Sequence, residues 1–180
     1  MSKDKRTARI VIPCRLAYVC CWRPNNQFGG MQKYSVSAVV SKDDEQTIEK
    51  INEALEYVKE HSLQKWGGHL PGNLRSPLHD GDAEKPENPI YKNSFFINAK
   101  SKEPPQIVDK NVTPIVNQTE VYSGCYGNIS ITFYPFSYGG SKGIAAWLGN
   151  IQKIKDGEPF GGRVSAKDDF IPIEDEDFLQ

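Results

Sequence analysis

Four aromatic rings fall within six residues, at Phe133, Tyr134, Phe136 and Tyr138, in the stretch ITFYPFSYGGSKGI at 131–144, which closes on two glycines and a lysine. Rings beside cations are groups of recognition: an aromatic face stacks on planar groups and on cations, and lysine neutralises anions. The residues leading into the stretch alternate as a half-buried strand does. Gly127, Ile129, Ile131 and Phe133 point one way, and Asn128, Ser130, Thr132 and Tyr134 the other. Tyr126 and Tyr134 therefore share a half-wet face with small polar groups. Two readings of those rings stay open: they cover a barrel flank, or they hold a ligand.

Catalytic constellations are missing. The chain has no Gly-x-Ser-x-Gly elbow, no His-Glu-x-x-His pair and no dinucleotide fingerprint. GGSKG at 139–143 lacks the Walker spacing and falls between two strands, so it reads as a hairpin turn whose Lys142 can touch a phosphate. No acid lies on the expected polar strand faces, where a magnesium-dependent nuclease would need one. Cys14, Cys20, Cys21 and Cys125 include no Cys-x-x-Cys pair, and they read as reduced, mostly buried thiols. His69 and His79, in the loop GGHLPGNLRSPLHDGD, match no common metal spacing and read as solvent-facing loop histidines. The expectation is a protein without catalytic residues, metal or cofactor.

The elements that must carry the rings are mostly short strands. Residues 8–23 read as a long first strand, with Pro13 marking an edge or a bulge. Residues 31–40 alternate again after the turn PNNQFGG. The stretch 41–61 is the one helix: Ser41 or Asp43 caps it, and Ile48, Ile51, Leu55 and Val58 recur at helical spacing. Residues 66–89 form a long irregular loop, a feature that is usually functional or mobile. A third strand spans 91–103, with Phe95, Ile97 and Ala99 inward and Phe96, Asn98, Lys100 and Lys102 outward. A proline-broken connector leads to the strand 126–138 and its return at 144–154. Strands do not alternate with helices, which disfavours a parallel α/β fold. The prediction is a mainly β fold: a five-stranded oligonucleotide-binding (OB-fold) barrel over residues 1–167, with one main helix and long loops. Residues 168–180 form an acidic flexible tail.

Charge is segregated behind a net value of −1. No base follows Lys167, whereas Asp168, Asp169, Glu174, Asp175, Glu176 and Asp177 supply six of the 23 acids. The first 167 residues therefore carry about +5. Seven acids against three bases sit in 42–60, so the helix is acidic and the sheet region basic. The tail mixes its acids with Phe170, Ile171, Ile173, Phe178 and Leu179, too few apolar groups to fold alone. It can lie in a basic groove in place of nucleic acid, or be offered to other proteins through Asp175, Glu176, Asp177 and Phe178. No stretch is long and apolar enough to cross a membrane and no apolar leader follows Met1, so the chain is expected in the cytosol.

A basic groove that follows phosphates, together with rings that stack on bases, is what holds single-stranded nucleic acid, each stack contributing roughly 1–3 kcal/mol. The candidate stackers are Tyr126, Tyr134, Phe96, Trp22 and Phe28. The candidate phosphate contacts are Arg9, Arg15, Lys33, Lys100, Lys102 and Lys142. Stacking accepts any base, so such a site ignores sequence. An annealing or recombination mediator and a protein-interaction module are the alternatives.

The stretch GCYGNISITFYPFSYGGSKGIAAWLGNIQKIKDGEPFGG at 124–162, followed by AKDDF, resembles a family of phage single-stranded DNA-binding proteins with an OB-fold, first described as a phage domain of unknown function. RIVIPCRLAYVCCWRP near the start and KYSVSAVVSKDDEQTIEKI resemble it too. The resemblance implies replication, recombination or repair of phage DNA in the bacterial host's cytoplasm, without catalysis. It also implies recruitment of replication proteins (polymerase, helicase or primase) by the acidic tail. No membrane and no small-molecule substrate is implied. DDFIPI lies inside the tail, whereas the bacterial pattern ends the chain on a proline-phenylalanine pair.

Overall fold

Each long strand is two-faced, and five of them bury their apolar faces together by curling into a barrel. The computed structural model describes residues 6–26, 30–160 and 170–173. Strands β1 (Arg9–Asn25) and β2 (Lys33–Ser41) precede helix α1 (Glu45–His61). A short strand β3 (Leu78–Asp80) and a one-turn helix α2 (Gly81–Glu84) lead to β4 (Ser94–Ser101). The two-residue β5 (Ile107–Val108), β6 (Tyr126–Tyr138) and β7 (Ser141–Lys155) follow. The sheet order is β3-β4-β2-β1-β6-β7-β5, and a parallel pairing of β4 with β7 closes the five long strands on themselves. The expected barrel is therefore present, and closure removes the sheet edges that open sheets must protect. Sequence reading missed β3 and β5, which are two short edge additions inside the long loop and the connector.

Pro13 sits where β1 has one neighbour. It pairs with Asn128 of β6, while the β1–β2 register begins at Arg15↔Val39, so the missing N–H breaks no ladder on the β2 side. The irregularity in β1 comes later, where the register shifts between Ala17 and Cys20 and Tyr18 adopts a positive φ of 48°. Ile12, Leu16, Val36, Ile97, Ile129 and Ile131 fill the barrel, and Ile51, Ala54, Leu55 and Val58 of α1 complete the same core. Asp44, rather than Ser41 or Asp43, caps the helix, accepting from the Thr47 backbone N–H at 3.3 Å and its hydroxyl at 2.6 Å. Cys14, Cys21 and Cys125 are buried, and all four cysteines are free thiols. Burial pushes the Cys21 thiol up to about 12, far from a reactive thiolate.

A second, smaller cluster lies outside the barrel and overturns one expectation. Phe96, expected to face solvent, is 4% exposed, packed with Ala17, Val39 and Tyr91. Its ring stacks on Tyr91 with centroids 4.1 Å apart and on His79 at 5.0 Å. Alternation did place Phe96 on the outer face, but the turn Pro89–Tyr91 and strand β3 fold over that part of it. Replacing Phe96 with alanine should cost about 3–5 kcal/mol of stability. Urea denaturation measures this, and a shift of the midpoint at constant slope is the expected signature.

Candidate nucleic-acid interface

Period-two alternation decides which side chains of the barrel wall reach solvent, and β4, β6 and β7 bring theirs to one depression. Asn98 and Lys100 of β4, Lys102 just beyond it, and Lys33 at the start of β2 line one side. Thr132, Tyr134 and Phe136 of β6 face Ala145 and Trp147 of β7. The rings of Tyr134 and Trp147 lie 4.4 Å apart between centroids, tilted by 33°. Trp147 is 55% exposed, so the pair presents an aromatic surface to solvent rather than to the core. Lys100 and Trp147 are Cα partners across the strand pairing that closes the barrel.

The lysines are crowded. Burial and the neighbouring charge of Lys33 hold the Lys100 ammonium below the usual lysine pKa. An anion beside both lysines relieves the repulsion between them. Arg75 adds a further cation to this lining, and Glu103 is the one acid among the described residues that line it. His79 stands at the margin, its Nδ1 2.9 Å from Glu84 Oε2. On the lining residue Asn98, Oδ1 is buried and has no hydrogen-bond partner among the described residues.

The long loop that follows α1 builds the opposite wall. Trp66 is fully buried and donates its indole N–H to the Phe136 carbonyl at 3.0 Å. Lys142 Nζ donates to the Trp66 carbonyl at 3.3 Å. The Arg75 N–H donates to the Lys142 carbonyl, and the Ile144 N–H to the Arg75 carbonyl, each at 2.9 Å. Only glycine fits at 143, because a Cβ there would stand 2.6 Å from the Arg75 carbonyl oxygen. The hairpin tip beyond turns through Gly139 and Gly140, with φ of 55° and 84°, and leaves Tyr138 86% exposed.

Of the residues expected from sequence, Tyr134, Lys33, Lys100 and Lys102 meet in this groove. Lys142 instead braces the loop wall. Arg15 lies elsewhere: its Nε donates to the Gly124 carbonyl at 3.0 Å and its Nη2 to the Glu158 carbonyl at 2.6 Å. Its guanidinium also stacks on Phe160 at 4.0 Å and approaches Tyr126 at 5.1 Å. Arg15 and Tyr126 thus clamp the segment 157–160 to the sheet. Arg9 is exposed beside Thr132, at the margin of the groove. Trp22 is half-buried against the core, its indole N–H without a partner among the described residues. Phe28, Asp175, Glu176, Asp177 and Phe178 lie outside the described residues, as does the boundary expected at 167. Sequence reading missed Trp147, Phe136 and Arg75. The signal for Trp147 was available, since Ile144, Ala146 and Leu148 point inward and leave it outward.

Among the described residues, no three His, Cys, Asp or Glu side chains gather closely enough to hold a metal ion. The site can instead hold an extended, planar and anionic polymer, with rings on its floor and cations along its rim. In OB-folds that bind oligonucleotides, the outer face of the second and third barrel strands and the adjoining loops do the binding. Here those strands are β2 and β4, and the β6–β7 hairpin supplies one of the loops.

Known proteins share this fold and much of this sequence. The single-stranded DNA-binding protein of bacteriophage Enc34, solved in complex with single-stranded DNA, superposes with a TM-score of 0.75 at 27% identity, over 86% of this chain and 90% of that one. Protein p50 of Acyrthosiphon pisum secondary endosymbiont phage 1 is 29% identical over 180 residues, covering 92% of this chain and 95% of that protein. The bacteriophage T7 single-stranded DNA-binding protein gp2.5 shares the fold, with a TM-score of 0.61 at 11% identity over 92% of this chain and 99% of that one. Residues 7–179 match the profile of the family described as the ssDNA-binding protein of Enterobacter phage Enc34, and the chain belongs to that family.

Proposed function

We propose that this chain binds single-stranded DNA without regard to base sequence, and that it coats exposed strands during phage DNA replication, recombination or repair. The observation that carries the reading is the exposed Trp147, packed against half-buried Tyr134, within one groove with Lys33, Lys100, Lys102 and Arg75. Bases stack on the two rings, and the phosphates follow the cations. Every base has a π-face, so the rings select single strands, whose bases are free, over duplexes, whose bases are already stacked. The protein acts by binding alone, without a catalytic step. On this reading the acidic segment 168–180 competes for the groove and recruits replication proteins.

Fluorescence anisotropy against labelled single- and double-stranded oligonucleotides of mixed sequence tests the reading. Binding to the single strand, falling steeply with salt because counterions are released, is the expected result. No binding to single strands, even after residues 168–180 are removed, would reject it.

Trp147→Ala should weaken strand binding by about 1–3 kcal/mol, roughly 5- to 150-fold in Kd, with the melting temperature nearly unchanged. An unchanged Kd would remove Trp147 from the stacking surface.

Lys100 adds a pH dependence of definite sign. Its pKa is depressed in the free protein, and a phosphate beside it restores the proton. Strand affinity should therefore fall as pH rises through that depressed value toward lysine's ordinary ~10.4. Lys100→Arg, which keeps its charge, should lose that limb of the profile.

A further inference from the structure

We propose that strands longer than the main groove continue along the outer face of β6 to a second contact zone at its far end, around Tyr126, Lys155 and Lys92. This rests on single-strand binding in the main groove and sets how much strand one molecule covers. The β6 residues on the outer side run in order from Tyr134 and Thr132, which line the groove, through Ser130, which is buried beneath Asn150 and accepts its N–H, and Asn128 to Tyr126. From Tyr134 to Tyr126 is about 27 Å at strand spacing, a length that suits the ~4–16 nucleotides an OB-fold can hold.

The track is free of negative charge where a phosphodiester chain would pass. Arg9, paired with Thr132 across β1 and β6, stands at its start. Beyond it lies a shallow depression lined by Val11, Asn128, Ser130, Asn150 and Gln152, with no acid among its lining residues. Asn128 belongs also to the next recess, of about 680 Å³, so the two adjoin at that residue. Arg15, Lys92 and Lys155 bring three cations to that recess, against the single acid Asp44. The Asp44 carboxylate is already occupied by the Thr47 N–H and hydroxyl. Lys155 Nζ lies 4.8 Å from the Tyr126 ring centre and is exposed, as is Lys92. Pro13, Val39 and Ile90 supply an apolar floor for a sugar or base. An acidic protein segment would match the recess alone, whereas the acid-free path that leads there from the groove past Arg9 favours a continuous anionic polymer.

The test compares oligothymidylates of about 6 and about 12 nucleotides on the full chain, under conditions where each binds one protein. In the wild type the longer strand should bind more tightly and with the steeper salt slope. Lys92→Gln combined with Lys155→Gln should remove about 1.4 from the log–log salt slope of the longer strand, two contacts at ~0.7 each. The shorter strand should bind the variant as it binds the wild type. Equal slopes for the two lengths in the wild type would overturn the extension, even if the variant fails to fold. So would equal losses on both lengths in the variant. Unchanged strand binding with lost affinity for a peptide copied from residues 168–180 would overturn it too, and would assign the recess to a protein segment. Absence of binding to either strand by the wild type would instead reject the main-groove reading.

Discussion

Closure of the barrel depends on one short parallel contact, Ala99↔Ala146 and Lys100↔Trp147, between β4 and β7. Two alanines, 0% and 4% exposed, face inward at the seam, where larger side chains would compete for the same core volume. The next residue on each strand must then face outward, and those residues are Lys100 and Trp147. The fold and the lining of the groove are thus fixed by the same pairing. A cation and an indole become neighbours because two alanines fit behind them.

The outer face of such a barrel is not uniform, since loops decide which parts stay open. Near the start of β4, the turn Pro89–Tyr91 and strand β3 cover Phe96 and make a second small core. Three strand positions and more further along, nothing among the described residues covers Trp147 to the same extent, and more than half of its surface stays in solvent. The loop carrying Trp66 and Arg75 could have closed over the groove. It is held instead along the β6–β7 hairpin by backbone hydrogen bonds at Arg75, Lys142 and Ile144, a close approach that Gly143 permits. The loop therefore serves as a wall rather than a cover.

That difference explains what the sequence disclosed. Alternation and helical spacing placed the five long strands, α1 and their inward faces, because burial imposes those periods directly. Tyr134, Lys33, Lys100 and Lys102 followed, since each is outward on a strand that borders the groove. Phe96 is outward by the same rule and yet buried, because its cover comes from residues distant in sequence. Arg15 and Lys142 were legible as cations but not as braces. A long side chain finds backbone carbonyls that only the folded chain brings near, such as Glu158 for Arg15 and Trp66 for Lys142. Trp147 was legible and overlooked, being an aromatic residue at an outward position of a plainly alternating strand.

A net charge of −1 suggests indifference to a polyanion, yet the field near the groove is local. At physiological salt, charges more than ~8 Å apart are largely screened from one another. A phosphate in the groove therefore responds chiefly to Lys33, Arg75, Lys100 and Lys102, with Glu103 the one acid among the lining residues. The acids Glu45, Glu49, Glu53 and Glu56 of α1 line a separate depression with Arg6. They act on whatever approaches that surface rather than on an anion in the groove. Segregation thus gives one small molecule a cationic groove that carries the exposed rings and, apart from it, an acidic helix surface, so any attraction for a polyanion is local to the face where the rings are.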